Sequence, residues 1–157
     1  GFEAIDYLNK KANQETDTFK ENKKCASLVA SIMIQEKKIL LAKPTVFMNE
    51  SGIALRALLD YYKISTENLI VIHDEADLPA GEYKINTNRG HAGHNGIKSI
   101  FNHLKTQDIT RVRIGVKLEK FKNTPLEHYV LMPLKNDDLT NINTGMHNAI
   151  DELMQSI

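Results

Sequence analysis

Between His73 and Ile97 the chain gathers side chains that can move protons, hold an anion or bind a metal: His73, Asp74, Glu75, Asp77, His91, His94 and Asn95, interleaved with Gly90, Gly93 and Gly96. Asp74 follows an apolar run, Leu69-Ile70-Val71-Ile72, which reads as a strand buried on both faces. A carboxylate at the C-terminal end of such a strand can orient and charge-stabilise a catalytic histidine. The plainer reading is a turn aspartate, since Asp74 to Pro79 has turn composition. His91 and His94 could join His73, Asp74 and Asp77 in a metal cluster. A glycine-rich loop, however, gives two imidazoles no rigid face, and no outer partner orients them. The glycines fall in the pattern G-x-x-G-x-x-G, which is not the dinucleotide fingerprint. They suit close approach of backbone to a ligand and the opening of a helix near Asn95.

Asn49 and Asn95 each stand where a loop gives way to a helix, where asparagine is often only a cap. A neutral amide there can also hold an ester or peptide group and stabilise an oxyanion. Phe47 and Met48, beside Asn49, read as core, or else as an exposed face on which a base or ribose rests. Arg111 and Arg113 share one side of a strand, solvated, ion-paired or set against phosphate. With no Gly-x-Ser-x-Gly elbow, P-loop or Cys-x-x-Cys, nothing supports a side-chain nucleophile.

The elements that must position these groups follow from periodicity. Residues 1–12 form an amphipathic helix through Phe2, Ile5, Leu8 and Ala12, and 13–24 a polar loop. Residues 26–34 alternate as a half-buried strand, 35–38 turn, and 39–42 return as its hairpin partner. A helix over 51–62 turns Ile53, Ala57, Leu58 and Tyr61 inward; strands follow at 69–72, 84–85 and 111–116. Helices cover 95–104 and the tail from Asp138, the latter with Leu139, Ile142, Met146, Ala149, Ile150, Leu153 and Met154 on one face. This order predicts an α/β fold: a single domain over 1–157 with a mixed, twisted sheet flanked by helices on both sides.

Composition narrows the partners. The 157 residues are 41% hydrophobic with zero formal net charge, so a core is available and any attraction for an anion must be local. The single cysteine, Cys25, suits a reducing cytosol and leaves no internal disulfide. No run approaches the ~18 apolar residues of a membrane span. These features predict a cytoplasmic protein.

Three blocks in order resemble the bacterial-type peptidyl-tRNA hydrolases: Lys43-Pro44-Thr45-Val46-Phe47-Met48-Asn49-Glu50-Ser51-Gly52, then His73 to Gly81, then Gly90 to Ile100. Arg111-Val112-Arg113-Ile114-Gly115 adds a fourth. The resemblance implies a monomeric α/β enzyme without metal or cofactor, cleaving the ester between a peptide and the 3′ ribose of tRNA. By the same resemblance, Asp74 matches the aspartate that steadies the catalytic base. Asn49 and Asn95 match the substrate-holding amides, while Phe47, Met48 and His94 match cleft positions. Arg113 matches a residue contacting tRNA phosphate. A second phosphate contact, usually lysine, falls on Asn86, and Arg89 replaces a glycine and is expected to supply that charge. The family's histidine base precedes the stretch that begins at Gly1, on a strand inside the sheet, and none of the six histidines here matches it. The chain is therefore expected to be trimmed at both ends, and by itself inactive and poorly folded. Two alternatives stay open: a non-catalytic RNA-binding homologue, and a metal-dependent hydrolase using His73, His91, His94 and Asp77.

Overall fold

The structure is a computed structural model that describes residues 1–12, 18–121 and 135–157. Its elements run α1 (Phe2–Ala12), β1 (Lys20–Asn22), β2 (Ser27–Ile34), β3 (Lys37–Pro44), α2 (Ser51–Tyr62), β4 (Ile70–Pro79), β5 (Tyr83–Asn86), α3 (Asn95–Leu104), β6 (Thr110–Lys117) and α4 (Asn136–Ser156). A 3-10 turn, Met48–Glu50, leads into α2.

The α/β class and the helices on both sides are as expected, but the strands divide between two sheets. One is antiparallel, in the order β1-β2-β3; the other runs β4-β6-β5, with β4 parallel and β5 antiparallel to β6. The outer edges of β3 and β4 have no strand partner among the described residues, and that is what separates the sheets. Helices α1 and α4 close over both. Ala30, Ile32 and Leu41 from one sheet share a core with Val112 and Ile114 from the other, under Leu8, Ala149 and Ile150. On the opposite side α2 and α3 build a second core of Leu59, Ile97, Ile100, Phe101 and Leu104.

Local rules account for most boundaries. Gln35 and Glu36 both take positive φ, the paired left-handed geometry of a tight two-residue hairpin turn. Lys63 and Lys105 end α2 and α3 in the left-handed conformation.

Several expectations fail for physical reasons. Lys20–Asn22 is a short edge strand rather than loop, all polar because it borders water on its outer side. In α2 the inward residues are Gly52, Ala54, Leu58 and Leu59, whereas Ile53 and Tyr61 are about half exposed. Backbone contact sets that rotation. A Cβ on Gly52 would lie 2.2 Å from the Ser99 carbonyl oxygen, and the Gly52 amide donates to Ser99 Oγ at 3.1 Å. Finally, β4 does not stop at Ile72. It continues to Pro79, and with one edge unpaired its Ile70-Val71-Ile72 run is only partly covered.

Candidate active site

The parallel pair β4–β6 fixes which side chains meet. His73 stands opposite Arg113 and Val71 opposite Arg111, and across β6 Asn86 stands opposite Arg111 and Lys84 opposite Arg113. Strand alternation then sends His73, Glu75, Arg111 and Arg113 to one face and Ile72, Val112 and Ile114 to the other. The polar face is bounded by the loop through residues 87–94 and the N-terminus of α3.

His94 is the N-cap of α3. Its Nδ1 accepts hydrogen bonds from the amides of Gly96 at 3.2 Å and Ile97 at 3.4 Å. A ring nitrogen that accepts carries no proton, so neutral His94 holds its proton on Nε2. That nitrogen faces Asp74 Oδ1 at 3.6 Å. The adjoining His94 ring holds the Asp74 carboxyl down, to about 2, so Asp74 is an anion at any working pH. Its side chain is 54% exposed, available to a group arriving from solution.

His73 is buried, its ring edge-on to His94 with centroids 4.9 Å apart. Its Nδ1 lies 2.6 Å from the carbonyl oxygen of Asp74, an acceptor, so Nδ1 must carry the proton. Nε2 is left as the lone pair and accepts from Arg111 Nη1 at 3.4 Å. Burial, chiefly, pushes the His73 pKa down from 6.5 to about 4. Neither ring is set up as a general base: one lone pair caps a helix and the other is buried against a guanidinium.

The His73 shift has a consequence for stability. Between pH 6.5 and about 4 the unfolded chain binds a proton that folded His73 refuses, so stability is full above 6.5 and falls as pH drops through that window. Asp74, also depressed when folded, adds a separate loss between 3.8 and about 2. In urea titrations at a series of pH values, His73→Asn is expected to flatten the upper window and leave the lower one. An unchanged upper slope would place that dependence elsewhere.

The amides and the aromatic gather at the same rim. A Cβ on Gly96 would lie 2.6 Å from Met48 Sδ, which shows how closely the Met48–Glu50 turn packs on the start of α3. Asn49 and Asn95 are both exposed there, one residue from that contact on each side. Phe47 is 80% exposed and Met48 56%, so the core reading of this pair gives way to an open apolar face.

Arg113 departs from expectation. It is buried, with Nη2 2.9 Å and Nε 3.0 Å from Glu75 Oε2, and Nη1 donates to Asn86 Oδ1 at 3.2 Å. Its alternation with Val112 turns it inward, where Glu75 neutralises it, and it presents no open cationic surface. Asn86 is thus a partner of Arg113, while Arg89 and Lys84 are exposed. Glu75 and Arg111, which residue type alone marks only as a carboxylate of the stretch and a candidate phosphate contact, are instead buried members of this polar face. The signal was present: two carboxylate-or-histidine positions at 73 and 75 and two arginines at 111 and 113, each with the period of a strand.

The proposed metal set does not assemble. The His73 lone pair faces a guanidinium, that of His94 caps α3, and His91 Nδ1 accepts from the Gly93 amide at 3.1 Å. Among the described residues no group of three or more His, Cys, Asp or Glu side chains is placed to hold an ion.

An ionised carboxylate on a parallel strand, with two solvent-facing amides and an exposed aromatic at the starts of the neighbouring helices, marks an α/β protein whose polar groups suit acyl-ester chemistry. The chain belongs to the peptidyl-tRNA hydrolase family, whose model matches residues 1–157. It is 40% identical over 153 residues to the peptidyl-tRNA hydrolase of Lactococcus lactis subsp. cremoris, covering 98% of this chain and 79% of that protein. The Pediococcus pentosaceus peptidyl-tRNA hydrolase is 37% identical over 98% of this chain and 80% of its own. In fold the chain resembles the Acinetobacter baumannii peptidyl-tRNA hydrolase, with a TM-score of 0.84 at 24% identity over 97% of this chain and 75% of that one.

Proposed function

We propose that the protein hydrolyses the ester joining a peptide, or an N-blocked amino acid, to the 3′ ribose of tRNA, returning the tRNA to translation. The observations that support this reading are anionic Asp74 facing His94, the residue before exposed Asn95, and the Met48–Glu50 turn packed on Gly96 with Asn49 and Phe47 exposed beside it. Water is the nucleophile. Asp74 polarises a histidine base, which takes a proton from the water, and the Asn49 and Asn95 amides donate to the ester carbonyl or the neighbouring peptide group. Phe47 and Met48 offer the terminal nucleoside an apolar seat. His73 and His94 hold their lone pairs against the protein and do not serve as that base. The acceptor-stem phosphates meet the exposed Arg89 and Lys84, with Arg113 behind them. The protein acts as a cytoplasmic monomer without metal or cofactor; no helix among the described residues is long and apolar enough to cross a membrane.

The test is release of the blocked amino acid from N-acetyl-aminoacyl-tRNA by the intact protein, with and without excess chelator. Equal cleavage in both is expected. Retention of tRNA without cleavage would favour the non-catalytic RNA-binding alternative, and loss of cleavage in chelator the metal-dependent one.

A further inference from the structure

Arg111 is the largest fully buried side chain among the described residues, 1% exposed, and there it forms no ion pair with a carboxylate. A buried guanidinium with no carboxylate in direct contact, only the field of nearby Glu75, is costly, so its partners show what it is kept for. Nη2 donates to the carbonyl oxygens of Arg89 at 2.6 Å and Gly90 at 2.8 Å. Nη1 points at His73 Nε2, Cζ lies 5.5 Å from the Phe101 ring centroid, and Nε has no hydrogen-bond partner among the described residues. The loop it grips has no strand ladder. Asn88, Ala92 and Gly93 take positive φ, and the loop's own support is the His94 amide bonded to the His91 carbonyl and the Gly93 amide bonded to His91 Nδ1. That loop delivers His94 to Asp74 and Asn95 to the rim.

We infer that Arg111 is a positioning residue for the active site: its guanidinium clamps the Arg89–Gly90 backbone and, through His73, ties that clamp to the carbonyl of Asp74. The planar fork matters. One guanidinium reaches two carbonyls and an imidazole at once, which an ammonium on a flexible stem does not match. His73 is the link because its two nitrogens face opposite ways, Nε2 accepting from Arg111 and Nδ1 donating to Asp74. The clamp itself stands on the backbone contacts alone; only its bearing on turnover rests on the hydrolase reading.

Two measurements on the intact protein separate these parts, using Arg111→Lys and Arg111→Met. Amide hydrogen exchange is expected to rise at least tenfold at Gly93, His94, Gly96 and Ile97 in both variants, with the Met146–Leu153 amides of α4 unchanged. Turnover of N-acetyl-aminoacyl-tRNA is expected to fall at least tenfold in kcat with KM within about twofold. Unaltered loop exchange would overturn the inference, and so would a uniform rise throughout the molecule, which is global destabilisation. A wild-type protein that shows no turnover while its variants loosen the loop would overturn the hydrolase reading and leave the clamp standing.

Discussion

Asp74→Asn in the intact protein is expected to lower kcat by roughly 10²–10⁴-fold and to leave KM within a few-fold. The substitution is nearly isosteric, and the amide oxygen can still face His94 Nε2–H, so the α3 cap and the rim should keep their geometry. What disappears is the negative charge. Because the His94 ring holds the Asp74 carboxyl down to about 2, that charge is present throughout the working range and stabilises a histidine as it becomes positive in the transition state. An interaction that strengthens only as charge develops appears in kcat. It follows that Asp74 itself does not shape the acidic limb of the pH–rate profile, and a limb between pH 5 and 7 reports the base. Steady-state kinetics decide the matter: a large rise in KM with kcat preserved would make Asp74 a binding residue.

How far the sequence disclosed this site depends on which force decides each position. The bounds of α3, Asn95–Leu104, were readable because its apolar residues recur at helical spacing and a glycine-rich loop ends there. The hairpin of β2 and β3 was readable because alternation flanks a short charged turn. Asn49, Asp74 and Asn95 stood out from residue type and position, and the resemblance gave them roles that composition never could. Asp74 was misplaced locally, however: turn-forming residues from 74 to 79 lie in a strand because the parallel ladder to β6 overrides their propensity. The division of the strands into two sheets was hidden, because periodicity marks a strand without saying which strand lies beside it. The rotation of α2 was hidden since it is set by Gly52 meeting the Ser99 carbonyl, a contact between residues 47 apart in sequence. Tautomers were beyond reach altogether. That His94 caps α3 through Nδ1 while His73 donates through Nδ1 depends on which acceptors and donors the folded backbone brings within 3.4 Å.

The fate of Arg113 follows from the same kind of tertiary fact and gives the largest expected change in stability. Arg113 and Glu75 are each less than 10% exposed and share two short contacts, so removing one partner strands a charge in a poorly solvated place. Arg113→Met is expected to cost about 3–5 kcal/mol, the usual penalty for breaking a buried pair from one side. Replacing both, as Arg113→Met with Glu75→Leu, should lose much less, because no isolated charge remains. Urea unfolding of the two single variants and the double variant measures the coupling directly. Additive losses would mean that the pair is solvated and the burial argument fails. The same position also bears on tRNA. A residue in direct phosphate contact lowers the slope of log affinity against log salt by about one when its charge is removed. With Arg113 already neutralised by Glu75, the charge-free double variant should keep the parent slope, while Arg89→Ala reduces it. A reduced slope in the double variant and an unchanged one in Arg89→Ala would return the phosphate contact to Arg113, with the Glu75 pair opening as tRNA arrives.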